Sequence, residues 1–125
     1  MSTRYKVLVA EDEVKIREIL VDFLTDYYEV IEAKDGEEAL RLFHSQQIDL
    51  VLLDLMMPGR DGFSVLKEIR SVSKVPVMIL TARSSVEDQV KGYDLKVDDY
   101  VTKPFDNKVL VAKINRLLAR VNEEG

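Results

Sequence analysis

The 125-residue chain has no cysteine, which excludes disulfides, thiol catalysis and zinc–cysteine sites together. No apolar run approaches the ~20 residues that cross a bilayer. The opening Met1-Ser-Thr-Arg-Tyr-Lys moves into a strand-like segment without an apolar signal core, so the expectation is a cytoplasmic protein with no membrane partner. Positive charge is not in excess either. Lys and Arg number 18 against 23 Asp and Glu, for a formal net charge of −5, and no general affinity for nucleic acid follows from that balance. Repeats, low-complexity stretches and internal linkers are also missing. What remains is 46% hydrophobic and 33% charged, the balance of an ordinary globular domain, and the length suffices for one domain with a proper core.

Short apolar runs alternate with segments of helical period. The strand-like runs cover residues 5–10, 29–33, 49–53, 76–80 and 99–101. Between them, Ile16, Ile19, Leu20, Phe23 and Tyr27 follow the spacing of one helix face, as do Ala39, Leu42 and Phe43, and Phe63, Leu66 and Ile69. A last amphipathic segment carries Leu110, Ile114, Leu117 and Val121. Asp35 before Gly36, a Ser84-x-x-Glu87 capping box and Asp106 mark helix starts. Strands alternating with helices imply right-handed crossovers and a parallel sheet covered on both faces. The second and fifth strands are the more polar or shorter, which places them at the edges. The expected fold is α/β and flavodoxin-like, five parallel strands in the order 2-1-3-4-5 with five helices on both faces.

In such sheets ligands bind beyond the carboxyl ends of the strands. After the first strand come Glu11 and Asp12, after the third Asp54, after the fourth Thr81, and after the fifth Lys103 followed by Pro104. Any one of these has an ordinary explanation, as a helix-start acid, a turn cap or a solvated charge. Gathered at one edge, the carboxylates repel each other unless a cation or Lys103 balances them. Three acids without His or Cys ligands form a hard-oxygen site that suits Mg²⁺, which leaves positions for phosphate oxygens. Asp54 is then a carboxylate placed for nucleophilic phosphoryl transfer, with Thr81 and Lys103 placed to receive the phosphoryl oxygens.

Four segments carry a resemblance: Val9-Ala10-Glu11-Asp12-Glu13, Leu53-Asp54-Leu55-Met56-Met57-Pro58-Gly59, Leu80-Thr81-Ala82, and Asp98-Asp99-Tyr100-Val101-Thr102-Lys103-Pro104-Phe105. In this order and at these separations they resemble the receiver (CheY-like) domain of two-component response regulators, most closely the OmpR/PhoB subfamily, over residues 5–120. The resemblance implies a signalling domain that is not itself an enzyme. Asp54 takes a phosphoryl group from a sensor histidine kinase. Asp12 and Asp54 bind Mg²⁺ directly, Glu11 acts through water, and Met56 lends its backbone carbonyl. Thr81 and Lys103 contact the phosphoryl group, and Tyr100 is the aromatic switch. Many receivers have Asp where this chain has Glu11. The resemblance also implies phosphorylation-promoted homodimers through the fourth helix, fifth strand and fifth helix. Asp99 would meet Lys113, and Asp98 would meet Arg120, across the interface; Gln89 and Val109 stand where a third pair is usual. Residues 1–122 are assigned to the receiver and 123–125 to the start of a linker or tail. DNA would be reached only through a winged-helix output domain outside this chain, the alternative being a stand-alone receiver acting by protein–protein contacts.

His44, on the second helix, is read as a surface residue, Met56, Met57 and Met78 as core or rim fillers, and Glu37-Glu38 as an acidic first turn. Two other classes fit less well. A haloacid-dehalogenase-type hydrolase wants Asp-x-Asp after its first strand, and a flavin or nucleotide binder wants a Gly-rich loop there.

Overall fold

Every residue of β3 (Leu50–Asp54) and of β4 (Val77–Thr81) is buried, the behaviour of strands covered on both faces. The computed structural model describes residues 4–82, 90–91 and 94–124. Around those two strands lie β1 (Lys6–Ala10), α1 (Val14–Leu24), β2 (Glu29–Ala33), α2 (Gly36–Ser45), α3 (Gly62–Val72), β5 (Asp99–Thr102) and a C-terminal helix (Asn107–Glu124). The sheet is parallel throughout, in the order β2-β1-β3-β4-β5. The more polar second strand and the short fifth strand are its edges, as their composition predicts.

Four helices lie among the described residues. The helix expected between β4 and β5 falls largely outside them, and so do its Ser84–Glu87 capping box and Gln89; Val90, Lys91 and Asp94 are helical. The other start signals act as read. Asp35 accepts the Glu38 amide at 2.8 Å and Asp106 accepts the Lys108 amide at 2.8 Å, each satisfying an amide that a helix N-terminus leaves without an intrahelical partner.

Strand alternation sends side chains to two cores. Val7, Val9, Leu50, Leu52, Met78 and Leu80 pack with Leu20 and Leu24 of α1 and with Leu110, Ile114 and Leu117 of the C-terminal helix. Leu8, Val51, Leu53 and Ile79 pack with Ala39 and Leu40 of α2 and with Phe63, Leu66 and Ile69 of α3. Tyr28 ties the first layer together, donating its hydroxyl to Asn115 of the C-terminal helix.

Three expectations need correction. The third and fourth strands begin one residue later than expected and end on Asp54 and Thr81. Asp49 is held outside β3 because its carboxylate accepts the Lys6 amide at 2.7 Å, and Pro76 has no amide to give. Ile19 and Tyr27 are 54% and 55% exposed rather than core; Leu20 and Leu24 take the inward positions, and Tyr27 lies beyond the end of α1. Val121 is also exposed, at 40%. The 18-residue C-terminal helix is about 27 Å long, against about 16 Å for a five-residue strand, so its last turns overhang the sheet.

Candidate functional site

The ends of four strands converge on one buried acidic cluster. Glu11 follows β1, and its amide donates to the Ala33 carbonyl at 3.1 Å, tying the loop to the end of β2. Its side chain is fully buried, with Oε2 accepting the Glu13 amide at 3.1 Å. Asp54 closes β3 at 2% exposure, and the Met56 amide donates to its Oδ1 at 2.9 Å. Room for this strand end depends on Gly62, since a Cβ there would sit 2.6 Å from the Asp54 carbonyl oxygen. Thr81 closes β4 and is buried. Lys103 is held beside it because its backbone amide donates to the Thr81 carbonyl at 3.0 Å, ahead of a cis Lys103–Pro104 peptide.

The Lys103 ammonium lies between the two buried acids. It donates to Asp54 Oδ2 at 2.9 Å and sits 2.7 Å from Glu11 Oε1. Glu11 Oε1 is fully buried, and the Lys103 ammonium is its charged partner. Burial pushes the Glu11 carboxyl up to about 7; Lys103 opposes that rise and the neighbouring Asp54 adds to it. For Lys103, burial works against the ammonium, but its bonds to Glu11 and Asp54 outweigh this and hold its pKa above the ordinary value.

Asp12 is half-buried and completes the set. One carboxylate oxygen from each of Glu11, Asp12 and Asp54 lies within 4.8 Å of the others. Three carboxylates gathered this closely, with no nitrogen or sulfur ligand among them, fit a small divalent cation such as Mg²⁺. A cleft of about 540 Å³ opens beside them, lined by Asp12, Met56, Met57, Pro58 and Asp61. Met56 stands at its rim, 54% exposed, while Met57 is buried.

The structure thus brings together Glu11, Asp12, Asp54, Thr81 and Lys103, with Met56 beside them. It leaves Tyr100, Asp98, Asp99, Lys113 and Arg120 on β5, the residues leading into it and the C-terminal helix. Tyr100 is half-buried against the core that α2 and α3 share. The ion pairs expected across an interface are formed inside one chain: Asp99 with Lys113 at 3.5 Å and Asp98 with Arg120 at 3.2 Å. Arg116 also reaches Asp99 at 3.2 Å, and Arg70 reaches Asp98 at 2.9 Å; neither basic residue was singled out from the sequence. Arg17 was missed as well. Its Nη1 donates to the Glu11 carbonyl at 2.8 Å. His44 is exposed and pairs with Glu68 at 3.3 Å, as a surface residue should.

The family model described as "Response regulator receiver domain" matches residues 7–115. The chain belongs to that family. This receiver is 48% identical over 124 residues to "Probable transcriptional regulator ycf27" of Guillardia theta, covering 98% of this chain and 49% of that protein. It is 48% identical over 115 residues to "Response regulator RR06" of Streptococcus pneumoniae serotype 2, covering 91% and 53%. The chain therefore spans about half the length of these curated relatives. Among solved structures, the receiver domain of Francisella response regulator 1452 superposes with a TM-score of 0.88 at 38% identity, covering 94% of this chain and 98% of that one. No helix among the described residues is long and apolar enough to cross a membrane.

Proposed function

We propose that this receiver takes a phosphoryl group onto Asp54 from a phosphohistidine of a sensor kinase. The observation that carries the reading is the Lys103 ammonium shared between buried Glu11 and buried Asp54. Such a carboxylate is held close to positive charge, at the end of a strand, beside an open cleft. In the transfer an Asp54 oxygen forms the new bond to phosphorus, and the bond from phosphorus to the imidazole nitrogen breaks. Lys103 is placed to pair with the phosphoryl oxygens as they arrive, and the Thr81 hydroxyl with another of them. Glu11, Asp12, Asp54 and the Met56 carbonyl would hold Mg²⁺, which when bound neutralises charge on the transferring group.

The added charge at the strand ends draws Thr81 inward and lets Tyr100 follow, biasing the β5 and C-terminal-helix surface between two states. That surface forms a homodimer, with Asp98, Asp99, Lys113 and Arg120 as its charged contacts. Those residues are already paired within the chain, so dimerisation exchanges ion pairs instead of creating them, and its net electrostatic gain is small. The full-length protein is a cytoplasmic transcription regulator that reaches DNA through an output domain beyond this chain; the name "Probable transcriptional regulator" and the roughly twofold length of the ycf27 relatives support the regulatory role and the further domain.

The test is labelling with acetyl phosphate and Mg²⁺, without a kinase. Intact-mass spectrometry is expected to find one added phosphate on the parent and none on Asp54→Asn. Equal labelling of both would remove Asp54 as the acceptor.

A further inference from the structure

We propose that Arg17 is a positioning residue for the acidic loop, fixing it in the geometry that favours Mg²⁺ over the larger Ca²⁺. The inference rests on the metal site proposed above. It starts from an oddity of α1. Helix N-termini favour negative charge, yet the first turn of α1 has no acidic residue, and the N-cap Glu13 makes no side-chain cap bond. Lys15 and Arg17 stand near that end instead. The macrodipole gives no reason for an arginine there.

The contacts of its guanidinium supply one. Arg17 turns back over the loop, donating from Nη1 to the Glu11 carbonyl at 2.8 Å and from Nε to Glu32 Oε1 at 3.3 Å. The side chain is only 16% exposed. The Glu11 amide is meanwhile bonded to the Ala33 carbonyl at 3.1 Å, so Glu11 is clamped on both sides of its backbone by groups tied to the end of β2. The clamped carbonyl belongs to the peptide joining Glu11 to Asp12, and that peptide sets the separation and relative orientation of the two Cα atoms from which both acidic side chains start. Fixing the plane limits the positions that two of the three acids can offer a cation. A planar guanidinium reaches two acceptors from different nitrogens, which a lysine ammonium cannot reproduce.

Mg²⁺ demands near-octahedral geometry at short distances, whereas Ca²⁺ accepts longer and more variable ones. Loosening the peptide therefore penalises Mg²⁺ more. A general loss of stability would instead weaken both ions alike, so the ratio of affinities separates positioning from mere structural support. The experiment is calorimetric titration of the parent, Arg17→Met, Arg17→Lys and Glu32→Gln with MgCl₂ and separately with CaCl₂, far-UV circular dichroism confirming the fold. Arg17→Met is expected to weaken Mg²⁺ binding roughly 10–100-fold, as loss of a group orienting metal ligands commonly does, with a smaller loss for Ca²⁺. Arg17→Lys should recover part of the loss, and Glu32→Gln should show a weaker shift in the same direction. Should Arg17→Met fail to fold, the other two variants carry the comparison. Folded variants with the Mg²⁺-to-Ca²⁺ ratio of the parent would overturn the role of Arg17 alone. A parent that binds neither ion would overturn the metal site, and this inference with it.

Discussion

Replacing Glu11 by Gln is expected to stabilise the metal-free protein by an amount that grows from about pH 4.5 and is nearly complete by about pH 7. Glu11 is fully buried, and that burial is the main reason its carboxyl rises from 4.5 to about 7. The folded state therefore holds this proton more tightly than the unfolded chain does. The stability contributed is complete below pH 4.5 and is lost as pH rises through 7. One pKa unit corresponds to about 1.4 kcal/mol, so ionised Glu11 costs the folded state about 3 kcal/mol above pH 7. A glutamine side chain keeps an acceptor for the Glu13 amide and cannot ionise. Lys103 retains Asp54 as its partner at 2.9 Å. The measurement is urea denaturation in EDTA at about pH 4.5 and about pH 8, on either side of the Glu11 transition. It is followed by far-UV circular dichroism, because the chain has no tryptophan. At the higher pH the Glu11→Gln variant should unfold about 1–2 M later in urea than the parent, and at the lower pH the two curves should converge. Adding Mg²⁺ at the higher pH should narrow the gap by stabilising the parent. A parent as stable as Glu11→Gln at the higher pH would refute the reasoning, and so would a gap of equal size at both pH values.

Two further outcomes are expected. Gly62→Ala forces a Cβ to 2.6 Å from the Asp54 carbonyl oxygen and 2.7 Å from the Leu55 Cα. Both are backbone atoms that cannot swing away, so the change should cost about 1–3 kcal/mol in urea denaturation and slow labelling of Asp54 by acetyl phosphate. Arg120→Glu should prevent the phosphorylation-promoted dimer in sedimentation velocity; a dimer indifferent to it uses another face.

The sheet was legible because its two central strands are buried on both sides. Leu50–Leu53 and Val77–Leu80 have no polar residue to suggest a wet face, and the more polar β2 and the short β5 fall to the edges. Strand ends were less legible by one residue. Whether Asp49 enters β3 depends on its carboxylate finding the Lys6 amide, a contact 43 residues away in sequence. Helical periodicity likewise marks apolar positions without saying how far the sheet extends beneath them, so it groups Ile19, Tyr27 and Val121 with buried neighbours although they remain 54%, 55% and 40% exposed.

The acidic cluster was legible for a different reason: parallel topology sends every strand end to one edge, so residues after strands can be assembled without any contact being known. Their partners could not be assembled that way. Spacing along a chain suggests that Asp98 and Arg120 are complementary, but complementarity does not say whether the two meet within one molecule or across two. Here Asp98 accepts from Arg70 of α3 at 2.9 Å, from the Val77 amide at 2.8 Å and from Arg120 at 3.2 Å, so three elements converge on one carboxylate. Asp99 by contrast is held by Lys113 and Arg116, both from the C-terminal helix, with Arg116 69% exposed. Removing Asp98 from its contacts strips a half-buried arginine and a strand amide of their acceptor, a cost that an exposed cross-chain pair does not offset. Asp98 is thus anchored to β4 and α3 through one oxygen, while Arg120 on its other oxygen and the partners of Asp99 are the ones that can be exchanged.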